Sequence, residues 1–353
     1  VPTQEQILAA LGRVIDPELR RPVTELDMVR DISIDGSEVS VTIALTVVGC
    51  PLRSSFEDQV AEHVGTLPGV SQVALHFDVM SPDERAALTL KLRGGAETKG
   101  IRLSPKTRVL AVASGKGGVG KSSLAVNLAA ALAAMGQEVG VLDADIYGHS
   151  IPHLLGITQK PMVVDKMIVP PVAHDLRLMS IGFFIDDNQP VMWRGPMLHR
   201  ALEQFLQDVH WGELDVLVVD MPPGTGDVSI SLGQLLPRAE AIIVTTPQPL
   251  AQDVASRAAV MAQKTGMRVV GVIENMTSEI FGSGGGARLA DDLGVPMLGS
   301  VPLDARLREA GDAGVPLVTS DPESEPAVAI IELARAIDAS RAGGFTSVLP
   351  LVS

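Results

Sequence analysis

Cysteine is almost absent from this chain: one residue in 353, Cys50. A lone thiol excludes an intramolecular disulfide and suits a reducing compartment. Aromatic residues make up 3% of the sequence, so the core has to be built from Ala, Val, Leu, Ile and Met. Positive charge is also short, with 28 Lys and Arg against 42 Asp and Glu and a formal net charge of −14. That balance, with no run of basic residues, argues against nucleic acid or an anionic membrane as a partner. No uncharged apolar stretch reaches the ~20 residues of a spanning helix, and the opening VPTQEQILAALG carries no basic-then-apolar leader. A cytoplasmic protein is expected. With 46% hydrophobic and 20% charged residues, what remains has the composition of a folded chain, and its length suits two domains.

The pattern changes along the chain. Residues 1–80 alternate helical spacing (TQEQILAALGRV, SSFEDQVAEHVGTL) with strand-like runs (EVSVTIALTVV, VSQVALHFDV), which predicts a small α+β domain. Residues 81–107 are more polar, with Gly-Gly and Ser-Pro pairs, and are expected to be a helix and a linker. From residue 108 to 353, short apolar runs alternate with helical segments: RVLAVAS, EVGVLDAD, LDVLVVDMP, AIIVTTP, RVVGVIENM and PMLGSVP. Several are apolar without interruption, as strands buried on both faces of a parallel sheet must be. The expected fold class is therefore α/β, a doubly wound and mostly parallel sheet, preceded by the small α+β domain.

The first of these runs leads into GKGGVGKSS, residues 115–123. Gly115, Gly120, Lys121 and Ser122 satisfy the phosphate-loop spacing, with a strand before and a helix after. Backbone amides from Gly115 through Lys116, Gly117, Gly118, Val119 and Gly120 to Lys121, Ser122 and Ser123 would face phosphate oxygens at a helix N-terminus. Lys121 would lie along the β- and γ-phosphates of ATP, and Ser122 would join the Mg²⁺ shell. Asp220, at the end of LDVLVVD, is the expected second metal-shell residue, and Gly224 the expected amide near the γ-phosphate. Asp143 and Asp145 end another strand at the sheet rim. Asp145 is the candidate to orient the attacking water and Asp143 to support the metal shell, although paired turn aspartates would look the same. His149 and His153, separated by Pro152, suit a turn better than a metal site.

GKGGVGKSS, with a lysine directly after its first glycine, resembles the deviant Walker A loop of the MinD, ParA and nitrogenase-iron-protein class. LDADIYGHSIPHLLG, WRGPMLHRALEQFL, DVLVVDMPPGTGD, TTPQPLAQDV and GVIENM together resemble the Mrp/ApbC family of iron–sulfur cluster carrier ATPases. IDPELRRPVTELDMVRDI and LTVVGCPL resemble the metal–sulfur cluster biosynthesis domain found ahead of such ATPases. The resemblance implies an ATP-gated homodimer that hydrolyses ATP and delivers iron–sulfur clusters to apoprotein clients. It also implies that Lys116 reaches the nucleotide of the second subunit and that Asn275 lies on the adenine side.

One part of the family pattern is missing. Mrp-type carriers have a C-x-x-C pair shortly after ENM, whereas this chain reads ENMTSEIFGSGGGARLADDLG, without cysteine. Clusters normally take four ligands, usually thiolates. Cys50, in TVVGCPL, is the remaining iron–sulfur ligand candidate, and a small buried hydrophobe would occupy the same position. Two functions follow: a cluster carrier, or an ATP-gated scaffold or regulator of the MinD/ParA-like class that holds no cluster.

Overall fold

The computed structural model describes residues 1–46, 53–92, 103–146, 148–184 and 195–340. These divide into two units, each built on its own sheet and its own apolar core.

The first unit comprises residues 1–100, 161–170 and 208–212. Its opening helix, Gln4–Leu11, starts with a full capping box: Thr3 Oγ1 accepts from the Gln6 amide, and the Gln6 side chain accepts from the Thr3 amide. This satisfies two amides that a helix start otherwise leaves open. Strands β1 (Val29–Asp35) and β2 (Glu38–Leu45) form an antiparallel hairpin, and β3 (Gln72–Val79) adds to β2 in parallel. The helices Arg53–His63 and Pro82–Leu92 complete this part of the chain.

The second unit begins with β4 (Arg108–Ser114), the helix Lys121–Ala134 and β5 (Val139–Asp143). The chain then supplies a hairpin, β6 (Met162–Val164) and β7 (Met167–Val169), that belongs to the first unit. There Val164, Met167 and Val169 are buried with Leu45, Phe56 and Leu88. Thr89 Oγ1 donates to the Val164 carbonyl at 3.3 Å, and the amides of Ile168 and His210 tie the hairpin to residues 208–210. The second unit resumes with β8 (Val172–Ala173), β9 (Leu176–Ser180), β10 (Val216–Asp220), β11 (Glu240–Thr245), β12 (Arg268–Thr277) and β13 (Met297–Pro302).

Its sheet runs β13-β12-β11-β4-β10-β5-β9-β8. Every pairing is parallel except β8 with β9. Leu110, Val112, Val141, Val218 and Ile242 face a core shared with the helices Lys121–Ala134 and Glu325–Ala339. On the opposite face Ala113 meets Ala258, Met261 and Ala262 of the helix Pro249–Lys264. Two-sided burial is why these strands show no polar alternation. Because β4 and β11 are neighbours, the crossover from β4 toward β5 and the one from β11 toward β12 diverge. The crevice beyond β4 and β11 is therefore the topological switch point, where open α/β sheets take their ligands. Among the described residues no helix is long and apolar enough to cross a membrane.

Candidate nucleotide site

The loop after β4 is shaped by two close approaches. A side chain at Gly115 would run into the backbone of Val254 and Ala255, so this position takes glycine alone. Gly120 starts the helix Lys121–Ala134 at φ 76°, the left-handed region, and a Cβ there would collide with the Asn275 side chain. Asn275, buried at the end of β12, donates from Nδ2 to the Val119 carbonyl at 2.8 Å. Asn275, which the resemblance puts on the adenine side, therefore flanks the phosphate loop and fixes that loop's backbone. Gly117 and Gly118 are exposed at the tip. Lys116 is half-buried and, among the described residues, takes part in no ion pair. The Ser114 hydroxyl donates to the Lys116 carbonyl at 3.0 Å and so orients its backbone.

Behind the loop lies a closely packed charged cluster. Lys121 is 6% exposed and Asp220 fully buried. The Lys121 ammonium reaches Asp220 Oδ1 at 2.5 Å and Asp145 Oδ2 at 3.9 Å. Ser122 Oγ donates to Asp220 Oδ2 at 2.6 Å. The groups expected to meet phosphate and metal thus satisfy one another, which is what permits their burial. Burial raises the Asp220 carboxyl above its ordinary value, against the pull of Lys121. Asp143 is also fully buried; burial first, and then the neighbouring Asp220 carboxylate, push it up from 3.8 to about 7. Its Oδ2 accepts from Ser180 Oγ at 2.9 Å and its Oδ1 from the Asp145 amide at 3.2 Å. Asp145 Oδ1 in turn accepts from the Gly148 amide at 3.1 Å.

The structure therefore brings Lys121, Ser122, Asp143, Asp145 and Asp220 into one constellation at the rim of β4, β5 and β10, with Lys116 and Asn275 on the flanks. Gly224 differs from expectation in detail: its amide donates to the Ser114 carbonyl at 2.9 Å, turned into the fold. His153 is exposed and His149 rests on the turn carbonyl of Ile146, at 3.3 Å from Nδ1. Among the described residues no cluster of His, Cys, Asp and Glu has the makings of a metal-ion cage. Cys50 lies outside the described residues.

Two functional-looking residues escaped the sequence reading. Ser180 is one. The other is Glu274, whose buried carboxylate accepts from the Gly284 amide at 3.0 Å and the Gly286 amide at 2.8 Å. It caps the helix Gly285–Leu293 and, with the Ser278–Gly282 bridge, closes the segment after β12 into a tight turn. An acid at the end of the apolar run VVGVIE, ten residues ahead of a Gly-Gly-Gly run, was the available signal.

A parallel sheet with a phosphate loop at its switch point and a carboxylate on the adjoining strand defines a P-loop NTPase. Residues 106–338 match the family model described as NUBPL iron-transfer P-loop NTPase, and residues 4–75 match the one described as iron-sulfur cluster assembly protein. The chain belongs to this family of iron-transfer NTPases. It is 51% identical over 357 residues to an iron-sulfur cluster carrier protein of Mycobacterium tuberculosis, an alignment covering 96% of this chain and 93% of the relative. A carrier protein so named from Synechocystis is 43% identical, covering 95% of this chain and 97% of that one. Among solved structures, the ADP complex of a nucleotide-binding protein from Archaeoglobus fulgidus aligns with a TM-score of 0.53 at 35% identity, over 62% of this chain and 89% of that one. The cell division ATPase MinD of Pyrococcus furiosus aligns with a TM-score of 0.54 at 23% identity, over 66% of this chain and 99% of that one, and shares the fold.

Proposed function

We propose that this chain is an ATP-hydrolysing carrier or assembly factor for iron–sulfur clusters, acting as a homodimer that delivers clusters to apoprotein clients in the cytoplasm. The observation that carries the reading is the cluster of Lys121, Ser122, Asp145 and Asp220 beneath a two-lysine phosphate loop, in a chain whose relatives are named as carriers. ATP displaces the internal pairing: Lys121 leaves Asp220 for the β- and γ-phosphates, and Ser122 and Asp220 become free to hold hydrated Mg²⁺ with Asp143 nearby. An oxygen-only donor set suits that hard cation, which when bound neutralises charge on the terminal phosphates. Asp145 orients a water whose oxygen bonds to the γ-phosphorus as the bond to the bridging oxygen breaks, releasing ADP and phosphate. Lys116 supports the same charge from a second copy of the chain, so that turnover depends on closure of the dimer.

A second reading drops the cargo and keeps the switch: an ATP-gated scaffold that holds no cluster. The tight turn closed by Glu274, which contains no cysteine, favours it. Anaerobic reconstitution with iron and sulfide distinguishes the two, by counting iron and acid-labile sulfide per dimer in the natural protein and in Cys50→Ala. A stoichiometric cluster that the variant loses supports the carrier. No cluster in either protein leaves the scaffold.

A further inference from the structure

We propose that Ser180 is a positioning residue for nucleotide hydrolysis, and that the segment it opens, through Gly182, holds the turn that presents Asp145. This deepens the reading given above and rests on the role assigned there to Asp145.

Ser180 ends β9 and sits opposite Asp143 in the parallel register of β5 and β9. It is fully buried, and a hydroxyl is costly to bury unless it is bonded. Here it is bonded twice: Oγ donates to Asp143 Oδ2 at 2.9 Å and accepts from the Gly182 amide at 3.1 Å. Asp143 passes the constraint on, since its other oxygen accepts from the Asp145 amide at 3.2 Å. A continuous line of hydrogen bonds thus runs from the Gly182 backbone through two buried side chains to the backbone of Asp145. Both carboxylate oxygens of Asp143 are held by protein groups, so in this state Asp143 braces the loop.

The far end of the same turn is pinned by packing. Asp145 accepts from the Gly148 amide, and the next residue, His149, lays its ring directly on Gly182. A Cβ at position 182 would lie 2.9 Å from His149 Cγ, closer than such atoms approach, and a tight 3.2 Å from Ser180 Oγ. Asp145 is therefore held at its amide by Ser180 acting through Asp143, and His149 is held by its packing on Gly182. A group that orients a nucleophile loses on the order of 100-fold in rate when displaced by about 1 Å. Among the described residues neither Ser180 nor Gly182 is hydrogen-bonded to the phosphate loop, so binding energy for the nucleotide is carried elsewhere.

The test is steady-state ATP turnover alongside equilibrium binding of a fluorescent ATP analogue, with melting temperature as a folding check. Ser180→Ala is expected to lower kcat by about 10- to 100-fold while nucleotide affinity stays within about twofold of the natural protein. Ser180→Thr, which keeps the hydroxyl, is expected to recover much of the loss. Gly182→Ala is expected to lower kcat in the same way, because the added methyl displaces the His149 ring that rests there. Full turnover by Ser180→Ala or by Gly182→Ala, or an equal fall in nucleotide affinity, overturns the proposal. Asp145→Asn tells the two levels apart. Normal turnover by that variant overturns the role of Asp145 and this proposal with it. An inactive Asp145→Asn beside a fully active Ser180→Ala overturns the assignment of Ser180 alone.

Discussion

Asp143→Asn is expected to stabilise the nucleotide-free protein at pH 8 and to do so less and less as the pH falls. In the folded chain the Asp143 carboxyl titrates at about 7 instead of 3.8, because it is buried and faces Asp220. A folded-state value above the unfolded one means that its contribution is fully present below about pH 4 and is lost as the pH rises through 7. At about 1.4 kcal/mol per pH unit, the ionised side chain at pH 8 costs the fold about 4 kcal/mol. Asparagine carries no such cost. Its Oδ1 still accepts from the Asp145 amide and its Nδ2 turns toward Ser180, whose hydroxyl hydrogen loses its acceptor at a cost of about 1 kcal/mol. The net gain is about 3 kcal/mol at pH 8, which corresponds to roughly 6–12 °C in the transition of a unit of this size. At pH 5, where the natural aspartate is already protonated in the fold, the gain falls to within about 1 kcal/mol of zero. Calorimetric melts of both proteins in EDTA between pH 5 and 8 measure the difference directly. A difference flat across that range, or a variant less stable at pH 8, refutes the reasoning.

Lys121→Ala is expected to abolish nucleotide binding, and Lys116→Ala to bind ATP within a few-fold of the natural affinity while hydrolysing it at least about 10-fold more slowly; unchanged turnover by Lys116→Ala removes the role in a second subunit. Asn275→Ala removes the bond to Val119 and is expected to cost about 1 kcal/mol of stability together with weaker ATP binding, read by thermal shift with and without nucleotide; equal affinity means that the loop holds its shape without Asn275.

The strands that carry the site were legible because burial on both faces writes itself as an unbroken apolar run: VLVVD in β10 and VGVLD in β5 put the acids that end them at the rim of the sheet. The phosphate loop was legible for a different reason, since its glycines answer to close approaches that few other residues tolerate, as at Gly115 against Val254. The pairing inside the site was not. Nothing local in the sequence says that Lys121 turns to Asp220, 99 positions away. Ser180 was missed because a serine at a strand end reads as a turn residue, and its partner Asp143 lies 37 positions upstream. The hairpin of β6 and β7 was missed on the same grounds: PMVVDKMIVPP is too short to declare which core it joins, and its partners precede it by as much as 150 residues or more, as Leu11 and Val14 show.

That hairpin has a consequence for synthesis. The core around Phe56 and Leu88 is finished only by Val164, Met167 and Val169, and the hairpin is tied down by residues 208–210. When residue 100 has been added, the front unit is still short of its last pieces, which arrive with residues 161–170 and 208–212. At about 5–20 residues per second, the ribosome takes roughly 6–22 seconds to bridge that interval. During it the phosphate-loop strand emerges without its sheet partners β10 and β11, which follow residue 212, while the front unit waits for segments encoded within the NTPase part of the chain.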